Sequence, residues 1–123
     1  MRLLLDTQIL VWMVNDDRRL TRRRRDAIVA KESELFVSAV VACEYTDLQI
    51  RNRLPVDESI SELVTRFDIE IAPFPAEAWA ALRGLPRVHQ DPVDRMLIAH
   101  ALVDGSTLVT ADANIRRYPV ACI

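Results

Sequence analysis

The sequence predicts an α/β fold, with one small parallel sheet of about five strands covered by helices on both faces. Short runs of apolar, β-forming residues alternate along the chain with stretches of helical period, a pattern typical of parallel sheets whose crossovers are helices. The chain has 123 residues, and 50% of them are hydrophobic. This length supports one compact core and is too short for two ordinary domains, so we expect a single domain over residues 1–123.

Five apolar runs with polar or proline-containing turns on both sides are the predicted strands, at residues 2–5, 35–37, 69–72, 107–109 and 120–123. Helices are predicted to begin near seven positions: Thr7, Thr21, Ala39, Asp57, Pro75, Pro92 and Ala113. The candidate N-caps among the flanking polar residues are Thr21, Asp57, Asp91 and Asp112. Glycine is scarce, and Gly84 and Gly105 are expected to end the fifth and sixth helices.

Targeting segments and cysteine frameworks are not expected. The apolar run from Leu3 to Leu5 is stopped by Asp6, so it is too short for a signal-peptide core or a membrane span, and we expect a cytoplasmic protein. Cys43 and Cys122 are too few and too far apart for a disulfide framework, and no cysteine or histidine spacing resembles a zinc site. We expect both to be reduced, with Cys43 buried in a helix.

The basic residues are almost all arginines, and Lys31 is the one lysine in a chain of net charge −2. Either a GC-rich genome explains this bias, or arginine serves here as the better planar binder of phosphate. A run of arginines, Arg18, Arg19 and Arg22 to Arg25, is expected where the first helix ends and the second begins. Such a run is either a solvated helix start or a surface for RNA or a partner.

Two acidic residues, Asp6 and Asp112, directly follow apolar strands. The carboxyl ends of parallel strands border the ligand crevice of open α/β sheets, so both residues occupy site positions. Each could instead serve only as the cap of the helix that follows it.

Two further acidic residues lie on predicted helices. Glu44 shares a helical stripe with apolar residues such as Val41, so a carboxylate enters an apolar face unless the position reaches solvent. Asp94 lies in the first turn of a helix that Asp91 and the following proline begin. Asp94 either points back toward the strand ends or contributes only to the helix start, whereas capping suffices to explain Asp91.

The convergence of Asp6, Glu44, Asp94 and Asp112 on one edge of the sheet is the main functional signal. Four carboxylates held together without a cation would repel one another, so Mg²⁺ or Mn²⁺ is implied, as one ion or two. Such ions can generate hydroxide from water and hold a phosphodiester for in-line attack. Removing these four charges from the net −2 leaves +2 on the rest of the chain, which suits a nucleic-acid substrate.

Four segments resemble those of the PIN-domain nucleases, particularly the VapC-type toxins of type II toxin–antitoxin pairs: LLLDT, an acid in the helix after VSA, DPVDRMLIAHAL, and LVTAD. The resemblance spans nearly the whole chain. It implies a single PIN-like domain that acts as a cytoplasmic endoribonuclease dependent on Mg²⁺ or Mn²⁺. It also implies a homodimer and a cognate antitoxin whose tail fills the active-site groove. By matching position, the family's catalytic and metal-binding acids fall on Asp6, Glu44, Asp94 and Asp112.

Other residues have supporting or structural interpretations. Thr7, Thr110 and Asp91 are expected to support the acids. The candidate contacts to RNA or a partner are Arg22, Arg23, Arg95 and Arg116. His89 is a loop residue that could touch substrate. His100 is interpreted as a structural residue inside an apolar helix. Trp12 and Trp79 lie at core spacing on their helices, so we expect them in the core rather than stacked on bases.

Three alternative functions fit these residues less well. A phosphatase with a nucleophilic aspartate needs a second aspartate two residues on, where Gln8 stands. A signalling receiver domain needs a lysine after its last strand, and Lys31 is far from that position. A PIN-like module that binds RNA or protein without cutting is the non-enzyme alternative, and the complete set of four acids counts against it.

Overall fold

The computed structural model, which describes residues 1–123, has four strands: β1 (Arg2–Leu5), β2 (Glu34–Ser38), β3 (Glu70–Ala72) and β4 (Thr107–Val109). All neighbouring pairs are parallel, and the strand order is β3-β2-β1-β4. Strand β1 is central, and its residues Leu3, Leu4 and Leu5 are fully buried, as expected for a parallel strand covered on both faces. The predicted α/β class is confirmed.

A fifth strand was predicted over residues 120–123, and the structure reduces it to a single parallel bridge between Leu108 and Cys122. Backbone hydrogen bonds still tie this segment to the outer edge of β4, including one from the Leu108 amide to the Ala121 carbonyl at 2.8 Å. The segment follows Pro119, which has no backbone N–H to donate to a ladder.

The helices are α1 (Thr7–Val14), α2 (Arg22–Val29), α3 (Ala39–Ile50), α4 (Ile60–Arg66), α5 (Ala78–Arg83) and α6 (Pro92–Asp104), followed by a short 3₁₀ helix at Ile115–Arg117. Thr21 caps α2 and Asp91 caps α6, as predicted. The prediction of Asp57 as the cap of α4 was wrong. Ser59 caps that helix because it forms a capping box with Glu62, in which each side chain satisfies the other residue's backbone amide.

Two side chains predicted to be buried are exposed. On α3 the buried positions are Val41 and Tyr45, four residues apart, and Cys43 lies midway between them on the solvent side. The short helix α5 buries only Ala78, so the side chain of Trp79 is turned outward and 64% exposed. Trp12 does lie in the core. None of the helices combines the length and the apolar character that crossing a membrane requires.

Candidate active site

A cavity of about 540 Å³ opens where β1 and β4 end and where α1 and α6 begin. Its lining includes four carboxylates contributed by separate segments of the chain: Asp6, Glu44, Asp94 and Asp112. Thr7 and Asp91 line the same cavity. The parallel sheet thus places residues that are far apart in sequence around one opening.

Asp6 is the most deeply buried of the four acids, with 7% of its surface exposed. Its Oδ1 atom accepts a hydrogen bond from the Ile9 amide at 2.9 Å, so Asp6 both caps α1 and lines the cavity. The pKa of Asp6 is raised to about 6, mainly by burial and to a smaller extent by the charges of Asp94 and Asp112, while hydrogen bonds from the Thr110 hydroxyl and the Ile9 amide oppose the rise. A cation bound nearby would offset the free-energy cost of this buried negative charge.

Asp94 lies in the first turn of α6 and is partly buried. Burial raises its pKa, the charges of Asp91 and Asp112 add to that rise, and a hydrogen bond with His89 opposes it. The bond joins Asp94 Oδ2 to His89 Nε2 at 3.1 Å. Capping of the helix is done by Asp91, whose Oδ1 atom accepts from the Val93 and Asp94 amides at 3.0 and 3.1 Å.

Glu44 reaches the cavity from α3 and is held there by Thr7. The Thr7 hydroxyl donates a hydrogen bond to Glu44 Oε1 over 2.6 Å. This contact links the first residue of α1 to the middle of α3 and leaves Oε2 of Glu44 free for another ligand. Thr7 therefore contacts one of the four acids directly.

Asp112 is exposed and lies in the turn that follows β4. Its Oδ1 atom accepts from the Asn114 amide at 2.7 Å, so it stabilises the turn into the 3₁₀ helix. Thr110 is fully buried, and its hydroxyl accepts from the Asp112 amide at 3.1 Å. Thr110 thus fixes the backbone that carries Asp112.

The donors around the cavity are suited to a hard divalent cation, because they are carboxylate and hydroxyl oxygens with no sulfur among them. However, no three carboxylate, histidine or cysteine side chains lie close enough together to hold a metal ion in this arrangement. The four acids share one cavity without forming the tight cluster that the sequence suggested. The chemistry of these residues, four carboxylates around one cavity, fits such an ion.

The arginines at the cavity are not the candidate RNA contacts Arg22 and Arg23, although one of them belongs to the same arginine run. Arg22 and Arg23 are exposed on α2 and do not line the cavity, whereas Arg19 and Arg53 do. Arg19 is held by Asp17, with Nη2 and Oδ2 2.7 Å apart. Sequence spacing pointed to the run containing Arg19, but it carried no signal that placed Arg53, which follows α3, beside the acids.

The other two arginines predicted to contact RNA or a partner differ in exposure and in hydrogen bonding. Arg116 is exposed on the 3₁₀ helix. Arg95 is partnered within the chain, because its Nη1 atom donates to the Pro86 carbonyl at 2.9 Å and to the Tyr118 hydroxyl at 3.0 Å. The guanidinium of Arg95 is therefore engaged in holding the loop before α6.

Comparison with solved structures gives the same fold in two bacterial complexes. One is the VapBC2 complex of Rickettsia felis bound to a DNA fragment from its promoter, with a TM-score of 0.70 and 21% identity over 100% of this chain and 98% of the other. The other is VapBC-1 from nontypeable Haemophilus influenzae, with a TM-score of 0.62 and 15% identity over 100% of this chain and 97% of the other.

A search of curated protein sequences found no significant match. The PIN domain family model, in contrast, matches residues 3–121, which include all four cavity acids and nearly the whole sheet. The chain therefore belongs to the PIN domain family.

Proposed function

We propose that this protein is an endoribonuclease dependent on Mg²⁺ or Mn²⁺ that acts as the toxin of a type II toxin–antitoxin pair. The observation that carries the proposal is the placement of Asp6, Glu44, Asp94 and Asp112 around one cavity of a PIN domain. These residues come from β1–α1, α3, α6 and the turn after β4. Capping alone explains neither Glu44 nor the burial of Asp6.

The chain's own residues would hold and orient the reacting groups. Asp6, Glu44, Asp94 and Asp112 would bind the ion, which supplies Lewis-acid activation of water and of the phosphodiester when it is bound. Thr7 keeps Glu44 turned toward the cavity, and Thr110 fixes the backbone of Asp112.

Arg19 and Arg53, which line the cavity, would attract the phosphates that flank the cleaved bond. The guanidinium groups of these two arginines would complement the negative charge of the RNA, while the four carboxylates would complement the positive charge of the metal ion.

A protein partner is supported by the complexes that share the fold. Both solved structures are of VapBC assemblies, and the Rickettsia felis complex is bound to a DNA fragment from its promoter. We extend this to a cognate antitoxin that covers the cavity of the present chain, to a homodimer as its assembly, and to the cytoplasm as its place of action.

Cleavage of single-stranded RNA in Mg²⁺, Mn²⁺ and EDTA tests the proposal, with Asp94→Asn as the key variant. We expect the wild type to cut in either metal and not in EDTA, and Asp94→Asn to fall to background while its melting temperature in EDTA stays the same or rises. If Asp94 served only the helix start, the variant would lose roughly 0.3 to 1 kcal/mol of stability and keep its activity.

Asp68→Asn is the matched control. Asp68 is exposed, lies outside the cavity and has a φ of 55°, a conformation that asparagine tolerates well. It should cut like the wild type. Metal and RNA binding without any cleavage by the wild type would instead favour the non-cleaving PIN-like module.

A further inference from the structure

A chain of side-chain hydrogen bonds runs from Arg95 on α6, through Tyr118 and the loop residue His89, to the cavity acid Asp94. Arg95 Nη1 lies 3.0 Å from the Tyr118 hydroxyl. That hydroxyl lies 2.8 Å from His89 Nδ1, and His89 Nε2 lies 3.1 Å from Asp94 Oδ2. Tyr118 is buried, and the His89 side chain is only 15% exposed, so the chain is largely shielded from solvent.

Arginine sets the direction of these bonds because its guanidinium can donate and cannot accept. The Tyr118 oxygen therefore accepts from Arg95, and it also accepts from the His89 amide at 3.3 Å. Its single proton has two acceptors within reach, His89 Nδ1 at 2.8 Å and the His89 carbonyl at 3.4 Å, and the shorter distance favours Nδ1. Nδ1 then carries no proton, and the proton of the imidazole is on Nε2, directed at Asp94 Oδ2.

The two oxygens of the Asp94 carboxylate therefore differ in their hydrogen bonding. Oδ2 is occupied by His89, whereas Oδ1 has no hydrogen-bond partner in the chain. One oxygen of the carboxylate is thus held by a partly buried donor, and the other is left for a ligand in the cavity that Asp94 lines.

We propose that His89 is a positioning residue that, held in one tautomer by Tyr118 and Arg95, orients Asp94 so that Oδ1 faces the metal-binding cavity. This inference rests on the proposed function, in which Asp94 is a metal ligand. It assigns Arg95 to this network rather than to RNA. Groups that orient metal ligands typically change metal affinity or activity by about 10- to 100-fold when they are removed.

The tautomer is tested first, in metal-free protein, by nitrogen NMR of histidine-labelled samples at a pH of about 8, above the usual titration range of histidine. The chain has two histidines, so only two ring systems contribute signals, and the one missing from His89→Gln is that of His89. We expect the His89 proton on Nε2 in the wild type and a mixture of tautomers in Tyr118→Phe. A proton fixed on Nδ1 in the wild type would overturn the inference.

Metal affinity is tested next, by calorimetric titration with Mn²⁺ of the wild type, His89→Ala, His89→Gln and Tyr118→Phe. Glutamine can present an amide donor near the position of Nε2, so we expect His89→Ala to bind about tenfold or more weakly and His89→Gln to recover most of the affinity. Tyr118→Phe should bind with intermediate affinity because its imidazole is present but no longer held in one tautomer.

Tyr45→Phe is the matched control. Tyr45 is also buried and also loses a hydroxyl bond, 2.6 Å to the Glu58 carbonyl, but it lies outside the cavity lining. Its Mn²⁺ affinity should equal that of the wild type. Folded His89→Ala or Tyr118→Phe protein that binds Mn²⁺ within twofold of the wild type refutes the positioning role, and if His89→Ala does not fold, Tyr118→Phe decides. A wild type that binds no Mn²⁺ refutes the proposed function itself.

Discussion

Replacement of Asp6 by asparagine should stabilise the metal-free protein at neutral pH. The carboxylate is 7% exposed, and its burial raises its pKa from 3.8 to about 6, so the ionised form is disfavoured in the folded state. Asparagine removes the charge and keeps an oxygen that can accept from the Ile9 amide. The two residues are nearly equal as N-caps, so α1 should begin at the same place in the variant.

The size of the effect follows from the pKa change. A rise from 3.8 to about 6 corresponds to about 3 kcal/mol of unfavourable free energy at 1.36 kcal/mol per pKa unit. The folded state holds the proton of Asp6 more tightly than the unfolded state does. The loss of folding stability caused by the ionised carboxylate is therefore absent below about pH 4, grows as the pH rises to about 6 and is complete above that. Allowing for relaxation around the buried charge, we expect Asp6→Asn to gain about 1 to 3 kcal/mol at pH 7.5 and nothing at pH 3.5.

Urea unfolding of both proteins in EDTA at these two pH values measures the difference. Asp17→Asn is the control of opposite sign, since hydrogen bonds from Arg19 lower the pKa of Asp17 to about 2 and its charge therefore favours the folded state at neutral pH. In saturating Mg²⁺ the wild type should gain stability, and Asp6→Asn should gain much less. If Asp6→Asn is less stable than the wild type at pH 7.5 in EDTA, then the ionised Asp6 carboxylate does not destabilise the folded protein, and the interpretation is refuted.

Two further predictions concern the surface and the backbone. Arg22 and Arg23 are exposed and lie outside the cavity, so changing both to alanine should weaken RNA or antitoxin binding and reduce its salt dependence by about 0.7 in slope per lost phosphate contact. The cleavage rate at saturating RNA should not change, and a collapse of that rate would show that these arginines act in the chemistry. Gly105 ends α6 with a φ of 71°, so thermal melts of Gly105→Ala should show a loss of about 1 kcal/mol. Gly84→Ala, at a φ of −86° with its new Cβ 3.7 Å from the nearest atom, should be neutral or stabilising by up to about 1 kcal/mol, and equal losses in both variants would contradict the backbone argument.

Local sequence patterns account for the class of the fold and for most of its elements. The apolar run RLLL makes a buried strand, and the threonine before four arginines makes a cap, because these outcomes depend on residues within a few positions of one another. The acids at the strand ends could be named for the same reason. A parallel sheet brings the carboxyl ends of its strands to one edge, whatever the details of its packing.

Contacts between distant segments required the tertiary structure. Trp79 and Cys43 are residue types that are usually buried, but both are exposed here. Burial depends on which face of a helix packs against the rest of the molecule. The pairing of His89 with Tyr118 joins residues 29 positions apart, and no spacing rule relates them. The sequence thus supplied the chemical groups of the site and the edge at which they gather. The packing of helices and loops decided which arginines reach the cavity and which imidazole contacts Asp94, since side-chain directions are set by neighbours that are remote in the chain.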